Sequence, residues 1–148
     1  LSPNHEMPHE MLIDLLREVN RGIGKYVQEI LAEHDIPVTN MIMARQIGKA
    51  PGITISALAR KTGMAKSHVS NIIRELQQKD WVEKKEDAGD QRVIKLYLTP
   101  AAAEYLDTIR QDIRNKINEL VADVPEQEAL DLIKGLTDIK AALERNRK

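Results

Sequence analysis

The chain has 148 residues, 42% of them hydrophobic, and a formal net charge of −1. This composition predicts a single core of ordinary size, and because no stretch approaches the roughly 20 consecutive apolar residues of a membrane span, we expect no transmembrane helix. The absence of cysteine excludes disulfides, cysteine zinc sites and thiol chemistry, and without a recognisable export signal we expect a cytoplasmic protein.

The first predicted element is a long amphipathic helix over residues 9–34. Apolar residues recur along it at three- and four-residue steps, and Pro37 is predicted to close it. Gly22 and Gly24 interrupt the helix at a cost of about 1 kcal/mol each relative to alanine, so we expect a compensating contact such as the close approach of another helix. A shorter helix is predicted over residues 39–48.

Residues 55–81 read as two helices separated by a turn at Gly63, with Thr54 as a plausible N-cap. The second helix, from Ala65 to Trp81, places these apolar residues inward at helical spacing: Val69, Ile72, Ile73 and Leu76. The residues that point mostly the other way are Lys66, Ser67, Ser70, Asn71 and Arg74. A polar outer face of this kind suits the major groove of DNA. Two amphipathic helices of an ordinary core are the alternative.

A β-hairpin over residues 81–99 favours the DNA-reading interpretation. Its second strand alternates Ile94, Leu96 and Leu98 with Val93, Lys95 and Tyr97, as a half-buried strand does. The sequence Asp87-Ala88-Gly89-Asp90 marks the predicted turn. Two helices followed directly by such a hairpin form a winged helix.

At these residues the chain resembles the multiple antibiotic resistance regulator (MarR) family. The matching residues are Leu58-Ala59, Gly63, the run Lys66-Ser67-His68-Val69-Ser70, Asp87, Asp90, Arg92, Leu96, Leu98 and Thr99. The resemblance covers nearly the whole chain, and the wing motif is its most specific part. It implies a mainly α fold with a small β-hairpin wing: a winged helix-turn-helix with long N- and C-terminal dimerisation helices, forming a single domain over residues 1–148.

We assign residues 38–99 to the DNA-binding part and residues 9–34 and 100–146 to the dimerisation part. Thr99 as N-cap with Pro100 at the first helical position is a strong helix start. The end helices carry more apolar surface than a small winged helix can cover alone. Burial against a second copy is therefore the simplest solution, and packing within the chain is the alternative. The resemblance also implies a homodimer.

Dividing the charge along the chain places the positive surplus on the predicted reading module. Residues 1–59 carry 5 basic and 7 acidic groups, residues 60–95 carry 9 and 6, and residues 96–148 carry 8 and 10. The segment charges are −2, +3 and −2. This asymmetry is what a phosphate-binding face requires.

The chain departs from the family pattern at two positions. Gly89 stands where the family wing usually has an arginine, and glycine there suits a hairpin tip with positive φ. Ala65 stands where the family tends to place Ser or Thr, so Ser67 is expected to take part of the capping role. With no side chain at the tip, Arg92 either contacts DNA or braces the hairpin by pairing with Asp87 or Asp90.

No catalytic motif or phosphate loop is present, so we expect no enzyme and no cofactor. His5 and His9 have the spacing of a helical metal pair, but Pro8 lies between them and we interpret the segment as a frayed lead-in rather than a metal site.

These patterns and the resemblance together predict a DNA-binding transcription regulator, a repressor that binds a near-palindromic operator as a homodimer. The resemblance further implies that a small aromatic or anionic ligand releases it from DNA. The candidate DNA-binding residues are Lys66, Ser67, His68, Ser70, Asn71, Arg74, Lys84, Lys85 and Arg92, with Asp87 and Asp90 as wing support. Asn71 is expected to read adenine, Arg74 guanine, and Lys66 to hold phosphate. The alternative is a winged-helix protein-interaction module without DNA binding, which the near-zero net charge and the missing wing arginine favour.

Overall fold

The computed structural model describes residues 8–147, which form six helices and one two-stranded antiparallel sheet. In chain order the elements are α1 (Pro8–Glu33), α2 (Val38–Lys49), α3 (Ile55–Thr62), α4 (Lys66–Gln78), β1 (Val82–Glu86), β2 (Ile94–Leu98), α5 (Pro100–Leu120) and α6 (Glu126–Arg145). The predicted mainly α winged-helix fold is confirmed. None of the helices among these residues combines the length and hydrophobicity that crossing a membrane requires.

The chain divides into two compact units, the first extending to Ile113 and the second beginning at Arg114. The first unit contains α1 to α4, the hairpin and most of α5. The second contains the end of α5 and all of α6, and no residue of α6 is buried.

The core of the winged helix is built from the apolar faces of α2, α3, α4 and the hairpin. Its buried members are Met43, Ile47, Ile53, Leu58, Val69, Ile72, Ile73, Leu76, Val82 and Leu96. All four apolar residues predicted to face inward from α4 belong to this core. Their burial fixes the rotation of α4 about its axis and therefore decides which of its residues face solvent.

A second core cluster joins the end of α1, α2 and α5 through Leu31, Ala44, Leu106 and Ile109 among its buried residues. Asn40 of α2 is 1% exposed, and neither its amide nitrogen nor its amide oxygen has a hydrogen-bond partner. An unpaired buried amide is costly, and the sequence analysis had not singled out this residue.

Three aromatic rings lie in a row beside this second cluster. His34 Nδ1 is 3.0 Å from the Tyr105 hydroxyl oxygen, and the two rings meet edge to face. Tyr105 also meets Trp81 edge to face, with 5.9 Å between ring centroids. Trp81 packs against both core clusters, so this row connects the segment that follows α4 with α1 and α5.

Helix boundaries follow local capping chemistry, with one correction to the expected ends. The Thr54 hydroxyl accepts a hydrogen bond from the Ala57 N–H at 3.2 Å, which confirms Thr54 as the N-cap of α3. Gly63 ends that helix in the left-handed conformation, at φ 70°. Pro37 does not close α1, because α1 ends at Glu33 and Pro37 is the residue that precedes α2. A proline fits there because its fixed φ is compatible with helix entry.

Thr99 joins the end of α4 to the start of α5. Its hydroxyl donates to the Asp80 carbonyl at 2.8 Å and accepts from the Ala102 N–H at 3.2 Å, which confirms the predicted capping role. Asp80 adopts a positive φ of 62°, so the chain turns sharply after α4 and enters the hairpin.

A short bridge from the loop between α2 and α3 pairs with the middle of β2. Ile53 pairs with Leu96 in antiparallel fashion, and the Gly52 N–H donates to the Leu96 carbonyl at 2.8 Å. Gly52 has a φ of 86°, and a Cβ there would lie 3.2 Å from the Tyr97 hydroxyl oxygen. A side chain at this position would both strain the backbone and crowd Tyr97.

Candidate nucleic-acid interface

Helix α4 presents one apolar and one polar face. Lys66, Ser67, His68, Asn71 and Arg74 are exposed, and Ser70 is half-buried. Ser67, Asn71 and Arg74 recur at four- and three-residue steps and therefore form one outward stripe. The structure thus brings these predicted residues onto one solvent-facing side of a rigidly packed helix.

The N-terminal end of α4 has no side-chain cap. Ala65 supplies none, and contrary to expectation the Ser67 hydroxyl forms no hydrogen bond with the described residues. No acidic residue lies in the first turn. The N–H groups of that turn lack intrahelical acceptors, and with the helix dipole they leave this end able to accept an anion.

Asn71 and Arg74 are in contact with each other. Arg74 Nη1 donates to Asn71 Oδ1 at 3.4 Å, and both side chains are exposed. The two residues lie three positions apart and so face the same side of the helix. No carboxylate within the described residues forms an ion pair with Arg74.

The hairpin directs its two predicted lysines to opposite faces. Lys84 pairs in register with Leu96 and Lys85 with Lys95, and neighbouring strand residues point to opposite sides. Lys85 Nζ lies 5.1 Å from the centroid of the Tyr97 ring, a cation–π contact. Lys84 has no comparable contact among the described residues, and both lysines are exposed.

Asp87 organises the loop between the strands. Its Oδ2 accepts hydrogen bonds from the N–H groups of Gly89 and Asp90, at 3.3 and 3.2 Å. Its Oδ1 lies 2.8 Å from Lys95 Nζ. The hydrogen bond and the positive charge of Lys95, assisted by the two N–H groups, hold the pKa of Asp87 below its usual range. The same pairing raises the pKa of Lys95.

Of the two alternatives for Arg92, the one in which it braces the hairpin by pairing with Asp87 or Asp90 is wrong. Lys95 pairs with Asp87 instead. The Arg92 N–H donates to Asp90 Oδ1 at 3.0 Å, so Asp90 supports the loop through the backbone. The Arg92 guanidinium is exposed and makes no ion pair with any described residue. The sequence pattern predicts Lys95 only as one of the residues that alternate with the apolar ones along the second strand. Nothing in the linear sequence distinguishes it from Arg92 as a partner for Asp87.

Gly89 was expected to have a positive φ, and this too is corrected. The described glycines with positive φ are Gly52 and Gly63. A Cβ at position 89 would lie 3.5 Å from Asp87 Oδ2, which is an ordinary van der Waals contact. Neither backbone conformation nor lack of space therefore requires glycine at this point of the loop.

The basic groups left for an external anion are fewer than the segment charge suggests. The charge of Lys95 is compensated locally by Asp87, whereas Lys66, Arg74, Lys84 and Arg92 are exposed and form no ion pair within residues 8–147. Within residues 8–147, no three histidine, cysteine, aspartate or glutamate side chains lie close enough together to bind a metal ion. His5 of the rejected histidine pair lies outside this range.

Comparisons with known proteins agree with this architecture. A model of the MarR family matches residues 34–93, which include α2 to α4 and β1. A relative from Bacillus subtilis strain 168, the uncharacterized HTH-type transcriptional regulator YsmB, is 26% identical over 122 residues, covering 80% of this chain and 81% of that protein.

Two solved structures show how far the fold is shared. A MarR family protein from Bacillus stearothermophilus superposes with a TM-score of 0.85 at 14% identity, covering 96% of this chain and 99% of that one. FabT from Streptococcus pneumoniae, in a crystal structure of its complex with DNA, superposes with a TM-score of 0.72 at 22% identity, covering 93% of this chain and 98% of that one. With the wing motif and the two-faced α4, these matches show that residues 34–93 are similar to the MarR family and that the fold is shared with proteins of that family.

Proposed function

We propose that this protein is a transcription regulator that binds duplex DNA as a homodimer, with α4 in the major groove and the hairpin beside it. The observation that carries the proposal is the division of α4 into a fully packed apolar face and an exposed face of hydrogen-bonding side chains. A major groove admits a helix of this kind, and side chains such as asparagine and arginine read base edges there.

The local charges support this assignment. The uncapped end of α4 suits phosphates, and so do Lys66, Lys84 and Arg92, which form no ion pair within the described part of the chain. Phosphate contacts supply most of the affinity of DNA-binding proteins. The FabT complex with DNA adds support, since that protein shares the fold.

Homodimer formation is supported by apolar surface that the chain leaves uncovered. In α1, six large hydrophobic side chains are exposed, including Leu15 at 52% and Val19 at 57%. Seven more lie between residues 120 and 143, among them Ile133 at 60% and Leu143 at 64%. Exposed apolar residues in such numbers, clustered in the end segments, indicate an interface. The occupant we propose is a second copy of this chain.

A two-fold axis has a direct consequence for the DNA site. Two copies of α4 related by such an axis reach successive major grooves on one side of the duplex, so the operator is near-palindromic with half-site centres about 10–10.5 base pairs apart. Selection of bound duplexes from a random pool, together with sedimentation at micromolar concentration, tests both points. A monomer, or an enriched site without two-fold symmetry, contradicts this part of the proposal.

A salt titration of duplex binding separates DNA recognition from the protein-interaction alternative. Log affinity should fall linearly with log salt at a slope of about −0.9 per phosphate neutralised. Lys66→Ala should weaken specific and random duplexes by the same factor and make the slope shallower. Lys140→Ala is the matched control, since it removes an equal charge from exposed α6 and its partner Glu144 lies on the same helix. Failure to bind any duplex at low salt would favour the protein-interaction module.

We further propose that the protein acts as a repressor in the cytoplasm and that a small aromatic or anionic ligand releases it from DNA. The similarity of residues 34–93 to the MarR family supports this part. Such a ligand must bind more tightly to a dimer whose two α4 helices are spaced wrongly for the duplex, since equal affinity for both spacings shifts nothing. Retained operator affinity in the presence of every compound that raises the melting temperature of the free protein would contradict ligand release.

A further inference from the structure

Asn71 and Arg74 lie on the outward stripe of α4 and are joined by a hydrogen bond. Arg74 Nη1 donates to Asn71 Oδ1 at 3.4 Å. Glu75 is next in sequence, but adjacent helix residues do not face each other, and no ion pair joins it to Arg74. The guanidinium is thus held by a neutral oxygen, which restrains its direction without neutralising its charge.

The hydrogen-bond donors and acceptors that Asn71 and Arg74 leave free determine which base the two side chains can bind. An arginine has five N–H donors, so four remain on Arg74 after one is given to Asn71. Adenine recognition by asparagine needs the amide oxygen and the amide nitrogen together, the oxygen accepting from the adenine amino group. Because Asn71 Oδ1 already accepts from Arg74, the pair is left with six free N–H donors, four on Arg74 and two on the Asn71 amide, against one remaining lone pair of Oδ1. Guanine offers two acceptors, O6 and N7, in the major groove.

We propose that Asn71 is a positioning residue for Arg74 and that the two side chains read one guanine as a unit. This inference rests on the proposed DNA binding and replaces the separate reading of an adenine by Asn71. Holding the long arginine side chain in its bound direction before DNA arrives reduces the entropy lost on binding. Specificity at the guanine then depends on Asn71 even though Arg74 makes the base contact.

Selection from a random duplex pool with wild type and four variants tests the proposal. Arg74→Ala should lose preference for guanine at one position of each half-site, by about 5- to 150-fold in relative affinity. Asn71→Leu removes the acceptor oxygen at similar size and should relax that same position. The double variant should relax it no further than Arg74→Ala alone, because the two side chains act on one contact.

Asn71→Asp separates positioning from direct reading. Aspartate keeps an acceptor oxygen for Arg74 but has no amide donors, so the guanine preference should survive. Its added negative charge should weaken binding to all sequences and make the salt dependence shallower. Because residues 71 and 74 are both exposed, circular dichroism and thermal melting of all variants should match wild type.

The possible results separate failure of this inference from failure of the proposed DNA binding. If Asn71→Leu relaxes an adenine position distinct from that of Arg74→Ala, and the effects multiply in the double variant, the inference is overturned and DNA binding stands. Loss of guanine preference in Asn71→Asp to the same extent as in Asn71→Leu also overturns it. A wild type that enriches no sequence refutes the proposed sequence-specific binding, and the inference falls with it.

Discussion

Gly89→Arg is expected to strengthen DNA binding by restoring the arginine that the family wing usually carries. The structure permits the change, because Gly89 has no positive φ and a Cβ there would meet only Asp87 Oδ2, at an ordinary 3.5 Å. The Gly89 N–H continues to donate to Asp87 after the substitution, since only the side chain changes. The loop should therefore keep its shape while gaining one exposed cation.

The size of the effect follows from counterion release. One added phosphate contact changes the slope of log affinity against log salt by about −0.9, so a dimer with two wings changes it by about −1.8. Between 50 and 200 mM salt this difference alters the ratio of variant to wild-type affinity by about 12-fold. Arginine also favours the narrow minor groove of A·T tracts, so the gain should be larger on operators with A·T-rich flanks.

The assay is a salt titration of wild type, Gly89→Arg and Gly89→Ala on one operator with A·T-rich or G·C-rich flanks. Gly89→Ala is the control for the backbone and should behave as wild type. If Gly89→Arg melts like wild type yet has the same affinity and slope, the wing does not reach DNA, and Arg92 and Lys84 lose their proposed contacts.

Three further predictions concern stability and titration. Thr99→Val keeps the side-chain shape but removes the helix cap and the bond to the Asp80 carbonyl, so it should cost about 2 kcal/mol and lower the melting temperature by about 4–8 °C; protection of the Ala102 amide equal to that of wild type would refute this. Asn40→Leu removes the unpaired buried amide and should raise the urea midpoint, by about 1–3 kcal/mol in unfolding free energy; a lower midpoint would mean that the amide is paired in solution. Because Lys95 lowers the pKa of Asp87 in the folded chain, their contact stabilises the loop above the ordinary carboxyl pKa and is lost as the pH falls below about 4. Lys95→Met should move the Asp87 titration, followed by its carboxyl ¹³C shift, up toward the ordinary value, and an unmoved midpoint would count against the pairing.

The sequence by itself determined the elements whose signals are local. Helical periodicity placed the four buried residues of α4 and, by exclusion, its outward stripe, since a helix face repeats every three to four residues. Thr54 and Thr99 were predicted as N-caps because threonine is favoured at that position. In the structure each hydroxyl accepts a hydrogen bond from the backbone N–H three residues ahead. The second strand of the hairpin was predicted from Ile94, Leu96 and Leu98, which recur at every second residue.

Only the tertiary structure decided which of several side chains of the same charge form a contact. The sequence analysis offered Arg92 as a partner for Asp87, whereas the folded hairpin brings the ammonium of Lys95, the second residue of β2, to 2.8 Å from the carboxylate. The loop from residue 87 to residue 93, longer than the predicted turn over residues 87–90, gives Gly89 an ordinary φ, and Arg92 forms no ion pair with the residues that the structure describes. Burial of Asn40, which is 1% exposed, is likewise a result of tertiary packing that no local pattern in the sequence marks. Such pairings depend on distances between residues far apart in sequence, and local patterns carry no information about those distances.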